Sequence, residues 1–238
     1  MKENFNYKDY ITKGYLKTRA YNQHEFIFLE NYILKKISQL ISKYRKNNKI
    51  SYNNIKYYHK IGISEKEHSD IFSAKNRHSK INNEFKKILL NKKIKYLLQN
   101  LMLIESKKKK IKLWDEKYGN LSFRIIRPFS NDGYPFSKKI WGPAGSVISV
   151  WIPIIGFSKN NTIKFVNGSN NKNYKKNLPL KTKFISNEYR LNEPIKKKNI
   201  STLSFKKGDV FIFSPKLLHS ENNNLSKITR LNLEFRVK

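Results

Sequence analysis

The chain has 238 residues, 38% of them hydrophobic and 13% aromatic, and its 50 Lys and Arg against 17 Asp and Glu give a formal net charge of +33. That length and apolar content suffice for a sizeable buried core and exclude wholesale disorder. The absence of cysteine excludes disulfides, thiolate metal sites and a cysteine nucleophile. Met1-Lys2-Glu3-Asn4 opens no cleavable apolar segment, and the longest apolar stretch, 147–157, is interrupted by Ser149, Pro153 and Gly156. It is too short to span a bilayer, so a cytoplasmic protein without a membrane span is expected. A field of this sign attracts polyanions. The lysines, however, are spread along the whole chain amid abundant Asn, Ile, Tyr and Phe, the composition of an A/T-rich genome. Nucleic acid is therefore expected to bind only weakly and to be released by salt.

The first hundred residues favour helix. From His24 to Lys46, Phe26, Leu29, Ile33, Ile37, Leu40 and Ile41 recur at three- and four-residue spacing, the stripe of an amphipathic helix. Ser79 or Asn82 can cap a second helical segment carrying Phe85, Ile88, Leu89, Ile94, Leu97, Leu98 and Leu101 on one face. The lysine-rich run 106–112 reads as a solvated connector.

Beyond it the period changes to two. Strands are predicted at 121–126, 146–152, 162–166, 200–205, 210–213 and 229–237, short, β-branched or aromatic, and bounded by Gly, Pro and Asn. Short strands without intervening helices predict an antiparallel barrel or jelly roll. The polar stretch 167–199 reads as a loop insertion of the kind used for lids. The expected organisation is a single domain over 1–238, with a helical part at 1–105 and a β-barrel core at 106–238.

The chemistry-bearing residues lie in that core. His219-Ser220 is followed eleven residues after the histidine by Arg230, behind the turn Lys207-Gly208-Asp209 and the strand 210–213. Upstream stand Arg124, Arg127-Pro128, the run Tyr134-Pro135-Phe136-Ser137-Lys138-Lys139-Ile140-Trp141, the strand Trp151-Ile152-Pro153-Ile154, and Asn167-Gly168-Ser169-Asn170. In this order, and with Asn222 to Asn224 and Ser226 between His219 and Arg230, these pieces resemble the phytanoyl-CoA dioxygenase-like family of iron/2-oxoglutarate oxygenases over about residues 110–238. The resemblance implies a double-stranded β-helix of the jelly-roll or cupin type, mainly β, packed by the N-terminal helices. It implies His219 as a metal ligand and 2-oxoglutarate as co-substrate, gripped by Arg230 with Ser220 and Arg124 near it. Arg suits that task because its planar fork pairs bidentately with a carboxylate.

Where the family places its first histidine and its carboxylate, the chain reads Ser137 and Lys139. Two histidines and one carboxylate normally hold Fe(II) on one face. A serine hydroxyl is a poor ligand, and an ammonium about 4 Å from a unit positive charge is repelled by roughly 4 kcal/mol at an effective dielectric near 20. The substitutions argue against Fe(II) and against conventional hydroxylation, leaving His219 as the surviving ligand. Two other carboxylates are available upstream: that of His68-Ser69-Asp70, a His-x-Asp that reads as part of a polar helix or loop, and Asp132, whose Asp-Gly dipeptide reads as a turn.

Three functions remain open on the sequence. The barrel binds a small anion or metabolite without oxidising it; it is an active oxygenase with a different ligand set; or the lysine-rich loop binds polyanions. Trp141 and Trp151 are expected as core or pocket-wall residues.

Overall fold

The computed structural model describes residues 7–45, 51–73, 76, 78–107, 109–114, 121–130, 132, 137–139, 147–159, 161–174, 188–190 and 195–238, with backbone alone at 52, 53, 78, 137–139 and 188–190. Trp141, with the rest of 133–136 and 140–146, and most of the predicted loop insertion lie outside the described residues.

The chain opens with a short helix α1 (Tyr7–Lys13), a strand β1 (Tyr15–Arg19) and the long helix α2 (Gln23–Tyr44). The start of α2 is set by a capping box. Asn22 Oδ1 accepts from the Glu25 backbone N–H at 2.9 Å, and Glu25 Oε2 accepts from that of Asn22 at 2.9 Å. Its buried stripe is the predicted one, with Leu34 added and Leu40 only partly buried. Arg45, just past its end, holds Glu67 at 2.9 Å and the Ile61 carbonyl at 2.7 Å, and so ties α2 to helix α3 (Glu65–Ile71).

After the two-residue strand β2 (His78–Ser79), the predicted second helical segment is two helices, α4 (Asn83–Leu89) and α5 (Lys92–Ser106). Asn91 separates them. Its Oδ1 caps Ile94 N at 2.9 Å, while its Nδ2 donates to Ala20 O at 2.9 Å and Glu25 Oε1 at 3.0 Å. These bonds reward a break that sequence periodicity alone does not register.

The barrel follows: β3 (Leu121–Ile126), β4 (Ser137–Lys139), β5 (Ile148–Ile155), β6 (Ile163–Val166), β7 (Glu188–Arg190), β8 (Ile200–Thr202), β9 (Asp209–Phe213), β10 (His219–Glu221) and β11 (Arg230–Val237). Two antiparallel sheets form, a larger one in the order β1-β9-β5-β11-β3-β2 and a smaller one in the order β7-β4-β10-β6-β8. Strands β3 to β6 alternate between the sheets, as do β8 to β11, while β6, β7 and β8 all lie in the smaller one; this is the double-stranded β-helix expected from the sequence. Strand β5 runs three residues past its predicted end. Pro153, which has no N–H to give, sits opposite Asn232 where the β5–β11 register shifts, so the proline is absorbed by a bulge.

Two elements depart from the expectation. The N-terminal part is not wholly helical: β1 pairs with β9 from Tyr15↔Phe213 to Arg19↔Asp209 and forms an edge of the larger sheet. Within the stretch read as a loop, β7 pairs with β4 and extends the smaller sheet. Both strands are short, and each is made by its partner rather than by its own pattern.

Alternation along the larger sheet sorts its two faces. Phe123, Ile125, Val150, Ile152, Ile154, Val210, Ile212, Leu231, Leu233 and Phe235 pack against the helices in one continuous core with Phe26, Leu29, Ile37, Phe85 and Leu98. The residues between them face into the barrel. No helix among the described residues is long and apolar enough to cross a membrane.

Candidate functional site

The barrel interior divides into an apolar end and a charged end. Trp151, Ile163, Phe165, Phe205, Phe211, Phe213 and Leu217 form a second buried cluster, with the Trp151 and Phe205 rings 5.2 Å apart. Trp151 is thus the buried wall residue anticipated from the sequence. Beside this cluster, Arg124 from β3 and Arg230, Asn232, Glu234 and Arg236 from β11 are all buried, as is Glu221 from β10.

His219 sits where the two ends meet. On the smaller sheet it is paired with Phe165 on one side and with Ser137 on the other. Its ring packs 4.6 Å from that of Phe213, and Nδ1 lies 2.8 Å from the Leu217 carbonyl oxygen. A carbonyl can only accept, so Nδ1 is the donor of this contact. Upstream, Ser169 Oγ accepts from Leu218 N at 2.8 Å and fixes the approach to β10. Asn224 fixes the exit: its Nδ2 donates to Ile126 O and Ile228 O, both at 2.8 Å, and its Oδ1 accepts from Ser226 N at 3.0 Å. The Asn and Ser between His219 and Arg230 therefore build the turn that sets the spacing of that pair.

Arg230 is fully buried and its guanidinium is already engaged. Nη2 donates to Glu221 Oε2 at 2.5 Å, and Nη1 donates to Thr162 O at 3.1 Å and Asn161 Oδ1 at 3.2 Å. Burial pushes its pKa below the usual arginine value; Glu221 opposes that and Arg124 adds to it. The other oxygen of Glu221 lies 3.4 Å from Asn232 Nδ2 and 3.8 Å from Arg124 Nε. Glu234 lies 3.6 Å from Arg124 and 2.8 Å from Arg236. Three arginines and two glutamates thus meet inside the barrel, Glu221 from the smaller sheet and the others from the larger, an excess of one positive charge among these five groups. Among the described residues, Arg230 Nε and Asn232 Oδ1 are buried without a hydrogen-bond partner.

Arg230 and Arg124 join this cluster from the larger sheet; on β10 of the smaller sheet His219 shares a face with Glu221, and Ser220 between them lies on the other. Ser220 is paired with Lys164 and donates from Oγ to the Glu221 carbonyl at 3.0 Å. Ser137 stands across the ladder from His219 and Lys139 across from Glu188. Glu221 was missed in the sequence, although its position two residues after His219 on a strand puts both on one face.

Asp70 and Asp132 lie elsewhere. His68 is buried in α3, with Nδ1 3.1 Å from Tyr58 Oη and Nε2 3.6 Å from Asp132, while Asp70 on the same helix is exposed. Asp132 binds Arg127 through its guanidinium at 2.9 and 3.0 Å and its backbone N–H at 2.8 Å. His68-Ser69-Asp70 thus lies on a helix, as read from the sequence, while Gly133 of the expected Asp-Gly turn lies outside the described residues. No group of three His, Cys, Asp or Glu among the described residues is placed to hold a metal ion.

Solved structures share this architecture. Over 97% of the chain, it is similar to EctD from S. alaskensis, solved with 2-oxoglutarate and 5-hydroxyectoine, at TM-score 0.57 and 12% identity, covering 74% of that protein. The epimerase SnoN, solved with Fe3+, alpha ketoglutarate and nogalamycin RO, matches at 0.58 and 11%, with 80% of its chain covered. EvdMO1 matches at 0.60 and 12%, but this chain spans about half of it, 48%. At such identities the likeness is one of fold. A search of curated protein sequences finds no match. The fold is that of the iron/2-oxoglutarate-dependent oxygenase superfamily. Within it, the profile of phytanoyl-CoA dioxygenase (PhyH) matches residues 13–232, and the chain belongs to that family.

Proposed function

We propose that this protein keeps the family's barrel without the conventional iron centre and uses it to bind a small anionic metabolite without oxidising it. The observation that carries the reading is the partner of His219. Where a second imidazole and a nearby carboxylate are needed to hold Fe(II), the neighbouring strand offers Ser137-Lys138-Lys139. His219 alone remains of the ligand set, and one imidazole does not make an iron site. The set of residues therefore does not fit the family's metal. The arginine-rich face supports the anionic ligand, since it retains one positive charge beyond what its own carboxylates neutralise.

An active oxygenase using another carboxylate is the competing reading. Glu221, on the same face as His219, is the described carboxylate best placed in sequence for it, and that group is committed to Arg230. Anaerobic calorimetric titration of Fe(II) into chelator-stripped protein separates the two. No tight metal binding is expected, and no succinate from 2-oxoglutarate above a His219→Ala control. Tight Fe(II) binding with His219-dependent succinate formation would restore the oxygenase.

A further inference from the structure

We infer that Glu221 is a built-in carboxylate occupying the seat at Arg230, and that it sets the charge of the ligand this barrel accepts. The inference rests on the anion-binding reading above and names the ligand class. The resemblance assigns Arg230 the distal carboxylate of a dicarboxylic co-substrate. In the structure that guanidinium already holds a carboxylate at 2.5 Å, and the carboxylate comes from β10 of the same chain. The two strands belong to different sheets, so the pair bridges the barrel interior rather than following a ladder.

Three features mark Glu221 as filling a ligand's place. It is buried together with Arg230, out of reach of water that would screen it. Its two oxygens are divided among Arg230, Asn232 and Arg124, the donors a bound carboxylate would use. It also cancels one of the three arginine charges on this face, leaving with Glu234 an excess of one. A dicarboxylate would have to displace Glu221 into a buried setting or sit beside it against like charge. A monocarboxylate such as a short 2-oxo acid needs only the one remaining charge, leaves Glu221 in place and brings one negative charge beside it instead of two.

The test uses metal-free full-length protein, with 2-oxoglutarate and pyruvate as calorimetric probes. Wild type is expected to take pyruvate more tightly than 2-oxoglutarate. Glu221→Gln keeps the shape and removes the charge; its affinity for 2-oxoglutarate is expected to rise about tenfold or more, a change readily resolved by calorimetry. The gain is expected to vanish in Glu221→Gln/Arg230→Met. Glu221→Asp, which keeps the charge and withdraws it by one methylene, guards against misfolding of the Gln variant and is expected to give a smaller gain. Equal 2-oxoglutarate affinity in wild type and both folded variants overturns the inference, as does a gain that survives loss of Arg230. Neither outcome depends on the Fe(II) titration, so failure here is distinct from failure of the iron-free reading.

Discussion

At the scale of single residues, the interior charges are held as a set. Removing Arg230 strips Glu221 of its shortest contact while leaving it buried, and a buried charge without its partner is costly. Arg230→Ala is expected to lower stability by about 3–5 kcal/mol, read as a shift in the urea midpoint at unchanged slope. Replacing both partners, Arg230→Met with Glu221→Leu, is expected to recover most of that loss, because two apolar side chains can fill the space without orphaned charge. If the double variant is as unstable as the single one, the pair is not the source of the loss. The spacing from His219 to Arg230 was legible in the sequence because both fall in recognisable surroundings. The role of Glu221 was not. It arises where β10 of one sheet faces β11 of the other, a meeting that no local pattern encodes.

Among the elements, the legible parts were those with a strong period of their own: α2, β3, β9 and β11 lie within a residue or two of their predicted bounds. β1 escaped because a five-residue edge strand owes its form to β9, and the α4–α5 break because a single asparagine decides it. The joint between helices and barrel is a polar cluster of Tyr58, His68, Asp132 and Arg127, with Arg127 Nη1 also donating to Ile63 O at 3.1 Å. Burial holds the His68 imidazole below its usual 6.5, against the pull of Asp132. Burial works to raise the Asp132 carboxyl, but hydrogen bonds from Arg127 outweigh it and hold the group below 3.8. Each group binds its proton more readily in the unfolded chain, so each stabilises the fold above its usual pKa and ceases to as pH falls. Stability is therefore expected to decline as pH drops through 6.5 toward the lowered His68 value, and again below 3.8. Chemical denaturation from pH 7.5 downward measures this, and His68→Gln is expected to flatten the first decline. Half-buried His59, lowered in the same direction by desolvation and then by Lys60, contributes the remainder. An unchanged slope in the variant would remove His68 from the account.

For the whole molecule, the two cationic residue types divide the labour. No lysine among the described residues is buried, whereas Arg124, Arg127, Arg230 and Arg236 all are. A compact ammonium is strongly hydrated and stays in water; a guanidinium is more weakly hydrated and can be paired inside. The described lysines thus form a solvated shell around an arginine-based interior, in a chain of net charge +33. Such a shell repels itself, and added salt relieves the repulsion within a Debye length of about 10 Å at 0.1 M. The melting temperature is expected to rise between low and physiological salt, the reverse of a fold held by surface ion pairs. A flat or falling trend would mean that local pairing outweighs the collective field.

The pairing of β1 with β9 also fixes an order of events. Tyr15 leaves the ribosome about two hundred residues before Phe213, its partner in the sheet. At roughly 5–20 residues per second, the first strand waits on the order of ten seconds or more for the strand that completes it. In that interval the apolar stripe of α2 has no sheet to cover, so the nascent chain is expected to need shielding until its last third has emerged.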